Sequence, residues 1–290
     1  MLNANSSAGL DRDGKVVLDE IYDCADPRPY FQSLGALDYK IPAAAPPVIK
    51  RLLSVMRPKR SGKSLKLVDL ACSYGVTGRL LRSGLSLSKL YDHYESHSAC
   101  SRDAMVMHDR KLNSPSVPKI KIVGQDIAQN ACAYALQSKA VDATLVANLE
   151  EDDLDAKQAK LVADADLIVS TGFIGYGGAR TLTQLVDAAT DRLPWMAHFV
   201  MRPFDYAPIR RALAERGYVT ARGTKPLFQR RFASEAERRK LTTRLVAEGI
   251  DPTGYEDASG IHAELYISHP AAERGQVDAD ELHSILNVSA

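Results

Sequence analysis

The sequence has few cysteines, and their spacing does not suit a disulfide framework or a zinc cluster. Only four are present among 290 residues, at positions 24, 72, 100 and 132, and no two of them form a C-x-x-C pair. A charged-then-apolar leader is also missing at the N-terminus. Secreted disulfide-rich domains and zinc modules are therefore disfavoured, and we expect a cytoplasmic protein.

The sequence also lacks an excess of charge of either sign and any long apolar run. Its 37 Lys and Arg residues balance 36 Asp and Glu residues, giving a formal net charge of +1. Such a balance supplies no long-range field that would attract nucleic acid or an anionic membrane surface. The apolar runs are far shorter than the roughly 20 residues that span a bilayer. We therefore expect neither nucleic acid nor a membrane as a partner.

Short apolar runs alternate regularly with amphipathic stretches over most of the chain. Such an alternation predicts crossover units, a parallel sheet and an α/β fold. The predicted strands are 65–71, 120–123, 143–147, 167–171, 197–201, 219–220 and 263–267. The predicted helices are 48–56, 77–81, 128–138, 155–164, 181–191, 207–216 and 235–248.

Two segments depart from this alternation. Residues 1–60 begin with a small, polar tail and continue with tyrosines interleaved with prolines, which predicts an aromatic lid segment. No strand is predicted between about 83 and 118, where two helical patterns predict an insertion after the first crossover helix. We therefore divide the chain into residues 1–60 and a ligand-binding domain over residues 61–290.

The turn after the first predicted strand is the first candidate site, because ligands of open α/β sheets bind at the carboxyl ends of the strands. Residues 69–75 read D-L-A-C-S-Y-G. This run resembles motif I of the class I S-adenosylmethionine (SAM) dependent methyltransferases, an apolar strand ending in D-x-G-x-G-x-G. Ala71 and Ser73 stand where that family has glycine, and Gly75 keeps it. The dinucleotide and P-loop fingerprints are absent from this turn, which favours SAM over NAD or ATP. A buried strand with a tight turn and no ligand is the alternative.

The resemblance extends to the ends of the next three strands. Asp126 ends the second strand and precedes Ile127, where the family has an acid that accepts both ribose hydroxyls; a helix cap is the alternative. Asn148 follows the third strand, at the position where the family contacts the adenine edge. A glycine-rich loop with Phe173 and Tyr176 follows the fourth, where the family positions the reactive methyl group. The residues that the resemblance places around SAM are Asp69, Ala71, Ser73, Tyr74, Gly75, Asp126, Ile127, Asn148, Leu149, Thr171 and Phe173.

The resemblance covers about residues 65–201, with two further strands towards the C-terminus. It implies an α/β fold of the Rossmann-like, seven-stranded class I SAM methyltransferase type, with the domain over 61–290 binding SAM. Enzymes that methylate base amino groups have [DNS]-P-P-[YFW] after the fourth strand, whereas residues 171–174 read T-G-F-I. Methylation of a nucleic-acid base is therefore not expected. The acidic run 150–153 is interpreted as a solvated helix cap, and no metal is expected.

The motifs D-P-R-P-Y-F, L-D-Y-K-I-P, D-L-A-C-S-Y-G, N-L-E and G-F-I-G-Y-G together resemble bacterial methyltransferase-like azetidine-2-carboxylate synthases. These enzymes cyclise SAM itself and release methylthioadenosine. The resemblance assigns a tyrosine and an asparagine that hold the reacting amine to Tyr176 and Asn148. Two alternatives are a methyltransferase that acts on a small-molecule acceptor, and a SAM-binding protein without catalysis. The sequence predicts neither the acceptor nor the oligomeric state.

Overall fold

The computed structural model describes residues 19–56, 64–114, 120–275 and 278–288. Within them, one mixed sheet has the strand order β3-β2-β1-β4-β5-β8-β6, with β7 also paired to β8. Strands β1 to β5 are parallel, whereas β8 is antiparallel to β5, β6 and β7. The strands are β1 (Lys66–Leu70), β2 (Lys121–Asp126), β3 (Ala143–Val146), β4 (Leu167–Ser170), β5 (Trp195–Met201), β6 (Tyr218–Arg222), β7 (Leu227–Arg230) and β8 (Ile261–Pro270).

Strands β6 and β7 lie end to end along the same side of β8. Tyr218 to Arg222 pair with Pro270 to Tyr266, and Leu227 pairs with Ala263 further along β8. At the break between them, a Cβ on Gly223 would lie 2.4 Å from the carbonyl oxygen of Leu286. The sheet is therefore seven strands wide, and the predicted Rossmann-like α/β fold is confirmed. Among the strands of the described residues, β7 is the one that was not predicted.

The parallel strands are connected by helices, as the alternation predicted. Helices α1 and α11 were not predicted as such. The helices are α1 (Arg28–Ala36), α2 (Ala45–Met56), α3 (Val76–Ser83), α4 (Leu87–Ser96), α5 (Arg102–Lys111), α6 (Gln129–Gln137), α7 (Ala156–Val162), α8 (Ala179–Asp187), α9 (Ala207–Ala214), α10 (Glu235–Ala247) and α11 (Ala279–Leu286). Within the described ranges, no helix is long and apolar enough to cross a membrane.

Alternate residues of the central strands face two separate apolar cores. Leu67 and Val169 face one core with helix α2, and Val68 and Ile168 face the other with helix α8. Burial on both faces explains why β1, β4 and β5 are apolar almost throughout. The small, polar tail predicted at the start of residues 1–60 lies outside the described residues, and so do the basic residues Arg57, Lys59, Arg60 and Lys63 before β1. Lys66, the next basic residue, is buried in β1.

Helices α4 and α5 occupy the predicted insertion and are joined to the domain through a buried carboxylate. Asp109 accepts hydrogen bonds of 2.8 Å and 2.9 Å from the hydroxyls of Tyr94 and Tyr134. Nε2 of His93 lies 2.8 Å from the same carboxylate. The guanidinium of Arg79 lies 4.0 Å away and donates to the Asp109 backbone carbonyl. Because Arg79 is on α3 and Tyr134 on α6, this cluster fixes the insertion to the helices on either side of β2.

Candidate functional site

The turn that follows β1 has three residues in the left-handed conformation. The φ angles of Ala71, Ser73 and Gly75 are 51°, 48° and 75°. The left-handed region costs a residue with a Cβ about 1–2 kcal/mol, whereas glycine adopts it freely. Ala71 and Ser73 therefore keep the backbone shape of a glycine-rich turn without its glycines. Gly75 cannot be replaced by a larger residue in the same way, because a Cβ there would lie 2.7 Å from the Ala140 side chain.

Replacing Ala71 by glycine is expected to stabilise the protein slightly. The Ala71 side chain is exposed, so little packing is lost, and relief of about 1–2 kcal/mol of strain exceeds the 0.5–1 kcal/mol entropic cost of glycine. We expect a net gain of roughly 0.5 kcal/mol in urea unfolding. Ala188→Gly is the matched control, since Ala188 has φ −77° and the same change there should destabilise. A loss of stability in Ala71→Gly as large as in Ala188→Gly would contradict the strained turn.

Asp69 places a carboxyl group beneath this turn. Its side chain is 1% exposed, Thr77 donates a hydrogen bond to it, and Oδ2 has no hydrogen-bond partner among the described residues. Burial raises the pKa of this carboxyl to about 7, and the negative charge of Asp126 adds to the effect. A buried acid without a counterion is costly unless a ligand supplies a donor or a positive charge.

Asp126 connects β2 to the same turn. Its Oδ2 accepts a 2.7 Å hydrogen bond from the backbone N–H of Ser73, and its Oδ1 accepts one of 3.0 Å from Ala128 at the start of α6. The alternative of a capping role is thus partly realised. Each carboxylate oxygen can accept a second hydrogen bond, so a ligand with two hydroxyls can still be held. Next to it, the apolar side chain of Ile127 is 66% exposed.

Asn148 and Tyr176 follow different strands, and Glu150 connects their loops. The carboxamide Oδ1 of Asn148 accepts a 3.2 Å hydrogen bond from the N–H of Glu150. The Glu150 carboxylate accepts hydrogen bonds from the N–H groups of Gly178 and Thr181, at 2.9 Å and 3.0 Å, and from the Thr181 hydroxyl at 2.6 Å. Glu150 is therefore a cap of α8 and not the solvated group predicted from the acidic run. These hydrogen bonds lower its pKa.

The lid segment, defined here as residues 19–44, lies over the carboxyl ends of the strands. The hydroxyl of Tyr39 donates to the carbonyl of Thr171 after β4, at 3.1 Å. The backbone N–H of Lys40 donates to the carbonyl of Gln229 in β7. Asp23 accepts a 2.6 Å hydrogen bond from the N–H of Asn130 in α6. The lid segment is thus hydrogen-bonded to the end of β4, to β7 and to α6 at this edge of the sheet.

Phenol groups of the lid segment are gathered with Tyr176 at this edge. Burial is the largest cause that raises the pKa values of Tyr22 and Tyr39, and Tyr176 raises both further. Asp126 also raises the pKa of Tyr22, and Asp69 that of Tyr30. The carboxyls of Asp69 in β1 and Asp126 in β2 therefore lie near enough to the lid tyrosines to raise their pKa values, and these tyrosines remain protonated at neutral pH.

Some of the residues that the sequence predicted around SAM have side chains that do not face the carboxyl ends of the strands. Leu149 and Phe173 are buried in the core that includes α8. Tyr74 is buried with its hydroxyl between the lid segment's backbone groups: it accepts from the N–H of Cys24 and lies 3.0 Å from the carbonyl of Ile21. Tyr74 thus holds the lid segment onto the turn. Glu150 was not predicted at this edge of the sheet, and Tyr39 was predicted only as part of the aromatic lid segment, because their partners are far away in the chain.

No group of three or more His, Cys, Asp or Glu side chains is arranged to hold a metal ion in the described part of the chain. His198 is fully buried in β5, where burial lowers its pKa to about 3. Its Nδ1 lies 2.8 Å from the Ser170 hydroxyl, beneath the loop that carries Tyr176. This histidine is therefore neutral at physiological pH and belongs to the sheet interior.

No protein-family model matches the sequence, and no curated protein matches it either. Several solved structures are similar. A TehB-like SAM-dependent methyltransferase from Corynebacterium glutamicum has 12% identity and a TM-score of 0.39, covering 74% of this chain and 86% of that one. Magnesium protoporphyrin IX methyltransferase from Synechocystis with bound SAM has 12% identity and a TM-score of 0.40, covering 91% and 100%. A plantazolicin methyltransferase in complex with SAH has 9% identity and a TM-score of 0.38, covering 79% and 85%. Similarities with TM-scores this low support no conclusion about the function of this chain, and the fold is defined by the chain's own strand order.

Proposed function

We propose that the protein binds SAM at the carboxyl ends of β1, β2 and β4 and is a SAM-dependent enzyme. The observation that carries the proposal is the turn after β1. All three positions at which the motif has glycine adopt the left-handed conformation, although two of them are not glycine. A strained turn persists only where the surrounding structure requires its shape, and such strain is concentrated at ligand sites.

The side chains around the turn fit the parts of SAM. Asp126 has acceptor capacity for the two ribose hydroxyls, and the exposed Ile127 offers an apolar surface to the adenine face. The free oxygen of Asp69 suits the ammonium group of the methionine part. The rings of Tyr22 and Tyr39 suit the sulfonium, because aromatic faces attract a cation without offering a strong nucleophile at neutral pH.

Methyl transfer to a small-molecule acceptor is the reaction that the structure supports best. A lone pair of the acceptor attacks the methyl carbon in line with the carbon–sulfur bond, and sulfur keeps the bonding pair, giving S-adenosylhomocysteine. Such a reaction requires space for a second molecule. A cavity of about 850 Å³ adjoins Tyr39, whose hydroxyl reaches the end of β4. Small-molecule sites are commonly 300–1,000 Å³, so a separate acceptor fits.

Cyclisation of SAM to azetidine-2-carboxylate is the second candidate. It is favoured by Glu150, which connects the loop of Asn148 with the loop of Tyr176 although the two follow strands three positions apart. In this reaction the neutral 2-amino group attacks the carbon next to sulfur, and methylthioadenosine leaves. Tyr176 and Asn148 would hold the amino group in line with the carbon–sulfur bond, which is a contribution of orientation.

Incubation with SAM alone, followed by mass spectrometry, tests both candidates. Intact SAM, together with calorimetric binding of SAM, is the result expected of a methyltransferase without its acceptor. Methylthioadenosine and azetidine-2-carboxylate above the level without enzyme would establish the cyclase instead. Failure to bind SAM at all would overturn the proposed function.

Tyr176→Phe gives a prediction specific to the second candidate. If the protein cyclises SAM, we expect the variant to lose at least a hundredfold in turnover while its affinity for SAM changes little, because only the hydroxyl that orients the amine is removed. Rates from methylthioadenosine release, and affinities from calorimetry, separate the two effects. Unchanged turnover in a cyclising enzyme would remove Tyr176 from this role.

A further inference from the structure

The cavity beside Tyr39 lies between the lid segment and the insertion. Its walls come from helix α1 and the residues after it, from helix α4, and from Phe228 in β7. It is thus separate from the space above Asp69 and Asp126, although Tyr39 borders it. Because the lid segment and the insertion are both additions to the alternating α/β pattern, the cavity is formed outside that pattern except for Phe228.

Aromatic rings form much of the wall. Phe31 stacks on Tyr94 with ring centroids 4.2 Å apart and meets Tyr91 edge-on at 5.2 Å. Phe228 also borders the cavity. A Cβ on Gly35 would lie 3.0 Å from the Tyr91 ring, so α1 approaches this ring closely. Walls of this kind suit a planar ring, which gains both apolar burial and edge-to-face contacts.

Charged groups at the cavity are balanced. Lys40 pairs with Asp38 at 2.9 Å, and both side chains are about half exposed. Arg28 pairs with Asp26 at 2.7 Å and donates to the carbonyls of Ser98 and Cys100. Arg28 is thus engaged by the protein, and Lys40 already has its counterion. Glu95, which is exposed, also borders the cavity, so the two basic side chains at the wall, Arg28 and Lys40, are matched by two carboxylates, Asp38 and Glu95. The cavity therefore has no excess of basic or acidic side chains, which favours an uncharged molecule.

Tyr39 connects this cavity to the proposed SAM site. Its ring borders the cavity, its backbone carbonyl accepts a 3.0 Å hydrogen bond from Tyr91, and its hydroxyl binds the carbonyl of Thr171. A Cβ on Gly172 would lie 3.7 Å from that hydroxyl. A molecule in the cavity is therefore separated from the end of β4 by one side chain.

We infer that the cavity between α1 and α4 is the acceptor site and that it takes an uncharged, planar aromatic molecule bearing a hydroxyl or amino group. The inference rests on the proposed methyl transfer. The acceptor nucleophile would reach past Tyr39 to the methyl group, a new oxygen–carbon or nitrogen–carbon bond would form as the sulfur–carbon bond breaks, and the acceptor proton would pass to water.

The experiment uses 2-naphthol as a neutral aromatic probe and its saturated analogue decahydro-2-naphthol as the control ligand. Gln32→Trp fills the cavity from α1, and Ser88→Trp fills it from α4, since both side chains are exposed and border it. Lys89→Trp is the matched control, because Lys89 is exposed on α4 and does not border the cavity. Affinities for SAM and for each probe are measured separately by calorimetry on the full chain.

We expect 2-naphthol to bind in the presence of SAM, and at least tenfold more tightly than its saturated analogue. Gln32→Trp and Ser88→Trp should each weaken 2-naphthol binding at least tenfold with SAM affinity unchanged, and Lys89→Trp should alter neither. The inference is overturned if a protein that binds SAM does not bind 2-naphthol, if both filling variants bind it normally, or if it displaces SAM. Loss of SAM binding in the wild type would instead contradict the proposed function.

Discussion

Asp69→Asn is expected to stabilise the protein at neutral and alkaline pH. The folded protein raises the pKa of Asp69 from 3.8 to about 7, so the folded state holds a proton that the unfolded chain has lost. The resulting penalty is absent below pH 4, grows as the pH rises from 4 to 7, and is constant above. The difference between these two values corresponds to roughly 4 kcal/mol. Asparagine keeps an acceptor for Thr77 and has no such penalty.

Urea unfolding of both proteins between pH 4 and pH 8 measures this effect. The free energies of unfolding should be similar at pH 4 and should diverge in favour of the variant by a few kcal/mol at pH 8. Asp103→Asn is the control, since this side chain is 95% exposed and should give no pH-dependent difference of that size. A variant less stable than the wild type at pH 8 would show that the Asp69 charge is already compensated in the folded protein.

The same substitution should weaken SAM binding, if the function proposed above is correct. Deprotonated Asp69 would receive the SAM ammonium, so its removal costs a charge-assisted hydrogen bond. We expect the affinity of the variant to fall at least tenfold at pH 8. The affinity of the wild type should itself decrease as the pH falls below about 7, because protonation of Asp69 then competes with the ligand. An Asp69→Asn protein that is more stable and binds SAM normally would remove Asp69 from the site.

Asp109→Ala is expected to destabilise the protein by roughly 3–5 kcal/mol. The carboxylate is 1% exposed and receives the hydroxyls of Tyr94 and Tyr134, and the nearby Arg79 would lose its closest buried counterion. Removing one partner of a buried ion pair leaves the other charge uncompensated, and this destabilises the folded protein strongly. Asp109→Asn should cost less, because the amide oxygen can still accept one of these hydrogen bonds.

Thermal and urea unfolding measure the cost, with Asp92→Ala on the exposed side of α4 as the control. We expect that control to change the free energy of unfolding by less than about 0.5 kcal/mol. If Asp109→Ala were as mild, the insertion would be held by its apolar contacts and not by this cluster.

Most strands were predictable because apolar runs of this length have few alternatives in an α/β chain. Strand β7 was missed since its four residues follow Pro226 and two of them are polar. Helix α1 was missed because Pro27 and Pro29 read as loop residues, whereas proline is compatible with the first turn of a helix. In both cases, the local signal was too short to distinguish strand or helix from loop.

The candidate site was predictable only where it follows from the ends of strands. Asp69 and Asp126 are placed by the topology itself. The left-handed conformation of Ala71 and Ser73 was not predicted, because neither residue type favours it and only the resembled motif has glycine at these two positions. The role of Glu150 depends on Thr181, and that of Tyr39 on Thr171, 132 residues away. Contacts at such separations are determined by tertiary packing and leave no periodic pattern in the sequence.

The position of the lid segment also has a consequence for biosynthesis. The ribosome makes this segment before the strands of the sheet, yet its backbone partners include Gln229 and Arg231, which are synthesised more than 180 residues later. At a synthesis rate of about 5–20 residues per second, on the order of ten seconds or more pass before these partners of the lid segment have been made. A segment that leaves the ribosome before the whole sheet is therefore among the last to dock, and the enclosed site forms only after translation of β7.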